Sequence, residues 1–203
     1  MSRNATALTG DPQPRRQALL EAALGVFTRF GYRKTSMDEV ARAAQVSRQG
    51  LYLHFPSKEA LFRATVEHTL TRALAAATAR LRDQDLPLEA RRSGAFDEWV
   101  GRFVGITSGD AADLAEAAGG LVGPLGAEHD RLFVEAVARA LTASGLAARH
   151  RARGVSARQL AETLQATARG LKHGAASREA FARSMAVAVR VICAGHQEGE
   201  RAR

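Results

Sequence analysis

Cysteine is almost absent: a single Cys193 excludes an intrachain disulfide framework and any zinc site built on cysteines. No stretch approaches about 18 consecutive apolar residues, the length that crosses a bilayer, so no membrane span is expected. Proline is sparse, at five in 203 residues, and β-branched runs are few. With alanine-rich segments in between, that combination predicts a chain that is mostly helix. Lysine is scarce beside arginine, so the formal charge of +8 partly reflects an arginine-rich composition. The opening stretch MSRNATALTGDPQPRR has no apolar signal core. Residues 1–14 are therefore expected to form a disordered arm, and the protein is expected in the cytoplasm.

Hydrophobic residues make up 46% of the chain, enough to build a packed core. The length accommodates a small domain joined to a larger one. Residues 1–60 hold nine Lys+Arg against five Asp+Glu, and the rest holds 20 against 16. Both parts are net +4, so positive charge is denser in the shorter segment, which suggests a polyanion as partner.

Periodicity divides the first eighty residues into four helices. Leu20, Ala23, Leu24, Phe27 and Phe30 share a face over residues 15–30, and Gly31 suits a left-handed cap. Ser36 followed by Glu39 forms a capping box, which starts a short second helix near Met37 with Val40, Ala41 and Ala44 inward. Ser47 can cap a third helix over 48–55, and Ser57 a long fourth over 58–82. Further helices are expected over 94–107, 110–118, 130–144, 157–173 and 178–194. The expected breaks are DQDLPLEARR, AAGGLVGPLGAEH, GLAARHRARGV and GAAS. No internal repeat is present.

The third helix carries the informative chemistry. At 100° per residue, Arg48, Gln49, Tyr52 and Leu53 spread over one arc, while His54, Leu51 and Phe55 lie on the other side, Leu51 and Phe55 toward a core with Val40, Val46 and Leu61. Arginine can donate two hydrogen bonds to guanine, glutamine can bracket adenine, and leucine can meet a thymine methyl. Gly50 weakens the helix by roughly 1 kcal/mol relative to alanine, and a close backbone approach to a neighbouring surface explains its presence. Tyr52, His54 and Lys58 stand at the edge of the arc, and Thr35 and Ser36 open the second helix; these five suit phosphate contacts. Two short helices joined by a tight turn, the second bearing polar readers, make a helix-turn-helix.

Residues 18–62, ALLEAALGVFTRFGYRKTSMDEVARAAQVSRQGLYLHFPSKEALF, closely resemble the DNA-binding region of the TetR family of bacterial transcriptional regulators. The matching features are the F…GY…T approach, VARAA, VS, LYLHF and SKEAL. The resemblance implies an all-α fold, with an N-terminal three-helix helix-turn-helix domain at 15–57. A larger helical effector-binding and dimerisation domain would follow at 58–203. It further implies a homodimeric repressor on a palindromic operator, released by a small molecule. Carried over by position, Arg48, Gln49, Gly50 and Leu53 would face bases. Thr35, Ser36, Tyr52, His54 and Lys58 would lie on phosphates, with Ser47 at the helix start. One departure is Gln45, where the family usually has glycine. In a left-handed turn a non-glycine residue costs roughly 1 kcal/mol.

Beyond residue 62 the resemblance is architectural. In such proteins the last two long helices form a four-helix bundle with those of a partner. Here Ala182, Ala186, Val189 and Cys193 share a face of small residues suited to that interface. Phe62, Phe96, Trp99, Phe103 and Phe133 are candidates to line a pocket for a largely apolar effector. His68, His129, His150 and His173 are scattered, so no metal is expected, nor any cofactor. Cys193 is expected as a small buried hydrophobe, and RHRARG at 149–154 as a mobile linker. A helical enzyme is the competing class, but no nucleophile–base or paired-carboxylate spacing supports it. Nor do the alanine-rich helices suit a protein that lies on membranes. A third possibility is a regulator without a small-molecule effector.

Overall fold

A computed structural model describes residues 12–105 and 111–193, and every described element is helical. In chain order these are α1 (Pro12–Phe30), α2 (Met37–Ala43), α3 (Arg48–His54), α4 (Lys58–Arg82), α5 (Leu88–Trp99), α6 (Ala111–Ala143), α7 (Leu146–Arg151), α8 (Ala157–Gly174) and α9 (Arg178–Cys193). A 3-10 turn, Gly101–Phe103, follows α5. The helices divide into two compact units, residues 12–68 with 111–121, and 69–105 with 122–193.

In the first unit, Leu20, Ala23 and Phe27 of α1, Val40 of α2, Leu51 of α3, and Leu61 and Phe62 of α4 meet in one buried cluster. Phe62 meets Phe27 edge-on at 5.0 Å and Tyr32 at 4.9 Å, which fixes α4 against the end of α1. Helix α1 starts three residues earlier than expected because proline is favourable in a first helical turn, where its missing N–H has no partner to lose. The rest of the expected arm lies outside the described residues. Ala117, Ala118 and Leu121 of α6 close the cluster, and Arg33 pairs with Asp113 and Glu116.

The second unit packs α5, α8 and α9 around Phe96, Trp99, Leu160, Leu164, Phe181 and Met185, with Phe133, Val137 and Leu141 from α6. Helix α5 begins at Leu88, six residues before the expected start, directly after Pro87. Arg92, Ala95, Phe96 and Trp99 then form its buried stripe at helical spacing. It ends where Gly101 passes the Phe181 ring: a Cβ there would stand 2.8 Å from the ring, so only glycine fits.

Helix α6 corrects a second expectation. Instead of two helices separated by AAGGLVGPLGAEH, one helix runs through Pro124. Proline in a helix interior costs roughly 3 kcal/mol through a lost hydrogen bond and a clash with the carbonyl four residues back. Here that carbonyl belongs to Gly120; both Gly120 and Pro124 are exposed, so water can serve the freed group. Buried Val122, Phe133 and Val137 keep the helix continuous. The expected linker at 145–155 is likewise partly ordered. Gly145 turns left-handed at φ 75°, Leu146 and Ala147 are buried, and His150 Nε2 lies 3.1 Å from the Ile192 carbonyl.

Candidate nucleic-acid interface

The turn between α2 and α3 is set by backbone hydrogen bonds. Val46 N–H donates to the Ala41 carbonyl at 3.0 Å and Gln45 N–H to Arg42 at 3.1 Å, the paired bonds of a Schellman cap. Gln45 is the left-handed residue of that cap, at φ 56°, the only non-glycine with positive φ among the described residues. The strain expected from the sequence is present. At the start of α2, Ser36 accepts from Glu39 N–H at 3.2 Å, and Glu39 accepts from Ser36 N–H at 2.8 Å. Those bonds from the Ser36 backbone and hydroxyl hold the Glu39 carboxyl below the usual range.

Ser47 caps α3 by accepting from Gly50 N–H at 3.0 Å. A Cβ on residue 50 would stand 3.1 Å from that same hydroxyl, so the cap is an internal reason for glycine here. Leu51 is fully buried and Phe55 nearly so, and burial of such side chains contributes about 1.5–3 kcal/mol each. Together they fix which face of α3 points out. On that face Arg48, Gln49 and His54 are exposed, Tyr52 is 39% exposed and Leu53 82%. Leu53 at 82% has no folding role that explains its size. Arg48 lies over the Tyr52 ring at 5.6 Å and pairs with Asp38 at 3.0 Å. Asp38 was not anticipated as a partner; in sequence it reads only as an acid complementing the α2 dipole.

Two candidate phosphate contacts are placed differently. Lys58 donates to the carbonyls of Tyr32 at 3.1 Å, Arg33 at 3.3 Å and Thr35 at 3.1 Å, so all three of its N–H bonds are used within the fold. It also stacks on the Tyr32 ring at 4.6 Å. Thr35 is buried, its hydroxyl donating to the Gly31 carbonyl at 2.6 Å. Both side chains close the α1–α2 connection. Tyr32 donates to Glu59 at 3.1 Å, and burial together with that acid pushes its hydroxyl up to about 12.

The candidate pocket residues do not share a site. Phe62 belongs to the first unit's core, while Phe96, Trp99 and Phe133 fill that of the second. Phe133 stacks on Trp99 at 5.2 Å and meets Phe96 edge-on at 5.1 Å; Phe103 is partly buried against the same core. Asp130 accepts from Trp99 Nε1 at 3.3 Å and Gln165 Nε2 at 2.9 Å, and it pairs with Arg169. A cavity of about 330 Å³ lies elsewhere in that unit, between the end of α4, the start of α5 and the end of α6. Arg92 in its wall went unrecognised because DQDLPLEARR reads as a surface break.

The candidate dimer face shifts as well. Val189 is fully buried in the unit's own core, and Cys193 Sγ accepts from Arg92 at 3.0 Å. Ala182 and Ala186 are half-buried. The apolar side chains that α9 leaves outward are Val187 and Val191, 55% and 72% exposed.

The family of bacterial regulatory proteins, tetR family, matches residues 19–65. The HTH-type transcriptional regulator RutR of Escherichia coli K12 is 40% identical over 76 residues, which are 37% of this chain and 35% of RutR. The chain thus spans about a third of the length of such curated relatives. A TetR-like transcriptional regulator from Rhodococcus sp. RHA1 is similar in structure at a TM-score of 0.57 and 28% identity, covering 88% of this chain and 96% of that one. The SmeT–triclosan complex shares the fold at a TM-score of 0.61 and 20% identity, covering 90% and 91%. The matched segment, folded as a helix-turn-helix, is thus similar to the DNA-binding segment of the tetR family of bacterial regulatory proteins, and the remainder shares the fold of solved relatives.

Proposed function

We propose that the protein is a transcriptional regulator that binds a palindromic operator as a homodimer, represses from it, and is released by a small molecule. The single observation that carries the reading is the outward arc of α3. Arg48, Gln49, Tyr52 and Leu53 face away from the fold, on a helix locked from behind by Leu51 and Phe55. Arg48 can donate two hydrogen bonds to guanine, Gln49 can donate one to adenine and accept one from it, and Leu53 supplies an apolar contact. Ser36, Ser47, Tyr52 and His54 lie around them for phosphate contacts, and Gly50 keeps the cap tight. Lys58 and the Thr35 hydroxyl drop out of that set.

Homodimerisation rests on Val187 and Val191 of α9, an exposed apolar pair one helical turn apart. Release by a small molecule draws on SmeT, a structural neighbour in complex with triclosan. Selection of bound duplexes from a random pool tests the whole reading. The enriched sites should be inverted repeats with half-sites one helical turn apart, about 34–36 Å. Each should bind two chains and lose affinity steeply with salt. Absence of any enriched sequence, or one chain bound per site, overturns it.

A further inference from the structure

Arg92 is a charged side chain in an apolar setting. It is 4% exposed, on the inner face of α5 beside Ala95, Phe96 and Trp99. Buried guanidinium groups are ordinarily paired with a carboxylate, because an isolated buried charge is costly. Among the described residues no carboxylate pairs with Arg92. Its partners are the Ser144 hydroxyl and the Cys193 sulfur. Burial pushes the Cys193 thiol up, so it stays a neutral acceptor. The closest acid along α5, Glu89, is already bonded to Arg190 at 2.9 Å. Ser144 directly follows the C-terminus of α6, whose dipole is worth less than a full countercharge.

The cavity of about 330 Å³ opens beside this group. Gln84, Arg91, Arg92 and Ser144 are its polar lining, and Leu81, Leu88, Ala140 and Ala143 its apolar one. Among the described residues no acidic one lines it. Arg91 is held in place by donating to the carbonyls of Leu86 at 2.7 Å and Gln84 at 2.9 Å. The volume lies within the range of small-molecule sites, and the composition, apolar walls with a few fixed polar groups, is typical of them. Among the described residues, Arg92 in that wall has no countercharge.

We propose that this cavity binds a small amphipathic monocarboxylate. Its carboxylate docks on Arg92, and its apolar body lies against Leu81, Leu88 and Ala140. This deepens the reading of a ligand-responsive regulator by giving the ligand class. It also replaces the largely apolar effector expected from the aromatic residues, which fill their own core.

The test titrates the full chain, without DNA, with sodium octanoate, neutral octanamide and sodium acetate by calorimetry. Octanoate should bind saturably at one per chain, with octanamide and acetate each at least about tenfold weaker, because each lacks one half of the recognition. Arg92→Gln should weaken octanoate by about tenfold or more. Ala140→Phe fills the cavity from the opposite wall while leaving Arg92 intact, and should abolish saturation with a cooperative melt retained. Equal affinity for octanoate and octanamide, octanoate affinity unchanged in Ala140→Phe, or no saturation up to about 10 mM would overturn the proposal. These outcomes are read without an operator, so they stand or fall separately from DNA binding.

Discussion

Replacing Lys58 with methionine separates two roles that its position in the sequence confounds. As a phosphate contact, Lys58 would contribute to DNA affinity and nothing to folding. In the structure it gathers three backbone carbonyls after α1, at 3.1, 3.3 and 3.1 Å, and sits on the Tyr32 ring at 4.6 Å. Hydrogen bonds from a charged donor contribute about 1.5–3 kcal/mol each, and an aromatic contact about 0.5–1. The group is only half-buried, so water competes for the carbonyls, and methionine keeps the apolar stem. A net loss of about 2 kcal/mol remains, or a melting temperature about 4–8 °C lower for a chain this size. The assay pairs a thermal melt by circular dichroism with DNA affinity measured across salt concentrations. The fold-based role predicts the drop in melting temperature with an unchanged salt slope in the cold. An unaltered melt with a slope reduced by about 0.9, the signature of one lost phosphate contact, would refute it.

Gln45→Gly should stabilise the protein by about 0.5–1 kcal/mol. Relief of a left-handed residue is worth about 1–2, and the extra freedom of glycine in the unfolded chain takes back about 0.4–1. A lower denaturant midpoint would contradict this. In a Tyr52→Phe variant Tyr32 is the remaining tyrosine, and alkaline difference absorbance should place its ionisation near 12 rather than about 10. Because the folded state holds the proton more tightly, Tyr32 makes stability fall as pH rises from about 10 to 12, and a midpoint near 10 would be inconsistent with its burial beside Glu59. Val189→Ala should lower stability by about 2 kcal/mol through a cavity in the core. Val191→Glu, at an exposed site, should convert the proposed homodimer to monomer in sedimentation with little effect on the melt; the reverse pattern would put the interface on the other face of α9.

The helix-turn-helix was legible because its signals are local. The Ser36–Glu39 capping box, the Ser47 cap and the three- and four-residue spacing of Leu51 and Phe55 are written within a few residues of their effects. Lys58 and Thr35 misled because a cluster of carbonyls left by the turn at 31–35 has no sequence signature, whereas a lysine at a helix start resembles an anion site. Pro124 and the glycines around it read as a break because local propensity disfavours helix there, and the packing of Val122, Phe133 and Val137 overrides it. Phe62 joins a different core from Phe96 and Phe133; periodicity reports which face is apolar, never which core it joins. Val189 failed similarly: a face of small residues suits a partner helix and an intramolecular one equally. Arg92 was invisible because its burial comes from α9 and the end of α6, far along the chain.

The outward arc of α3 as a reader of base edges is tested most directly on duplexes that vary one base pair at a time within an enriched site. Affinities of the wild type, Arg48→Ala and Gln49→Ala would be compared. Each variant should lose about 1–3 kcal/mol of discrimination at a position of its own and keep the pattern elsewhere. Wild-type base preferences retained in full by both variants would contradict the account.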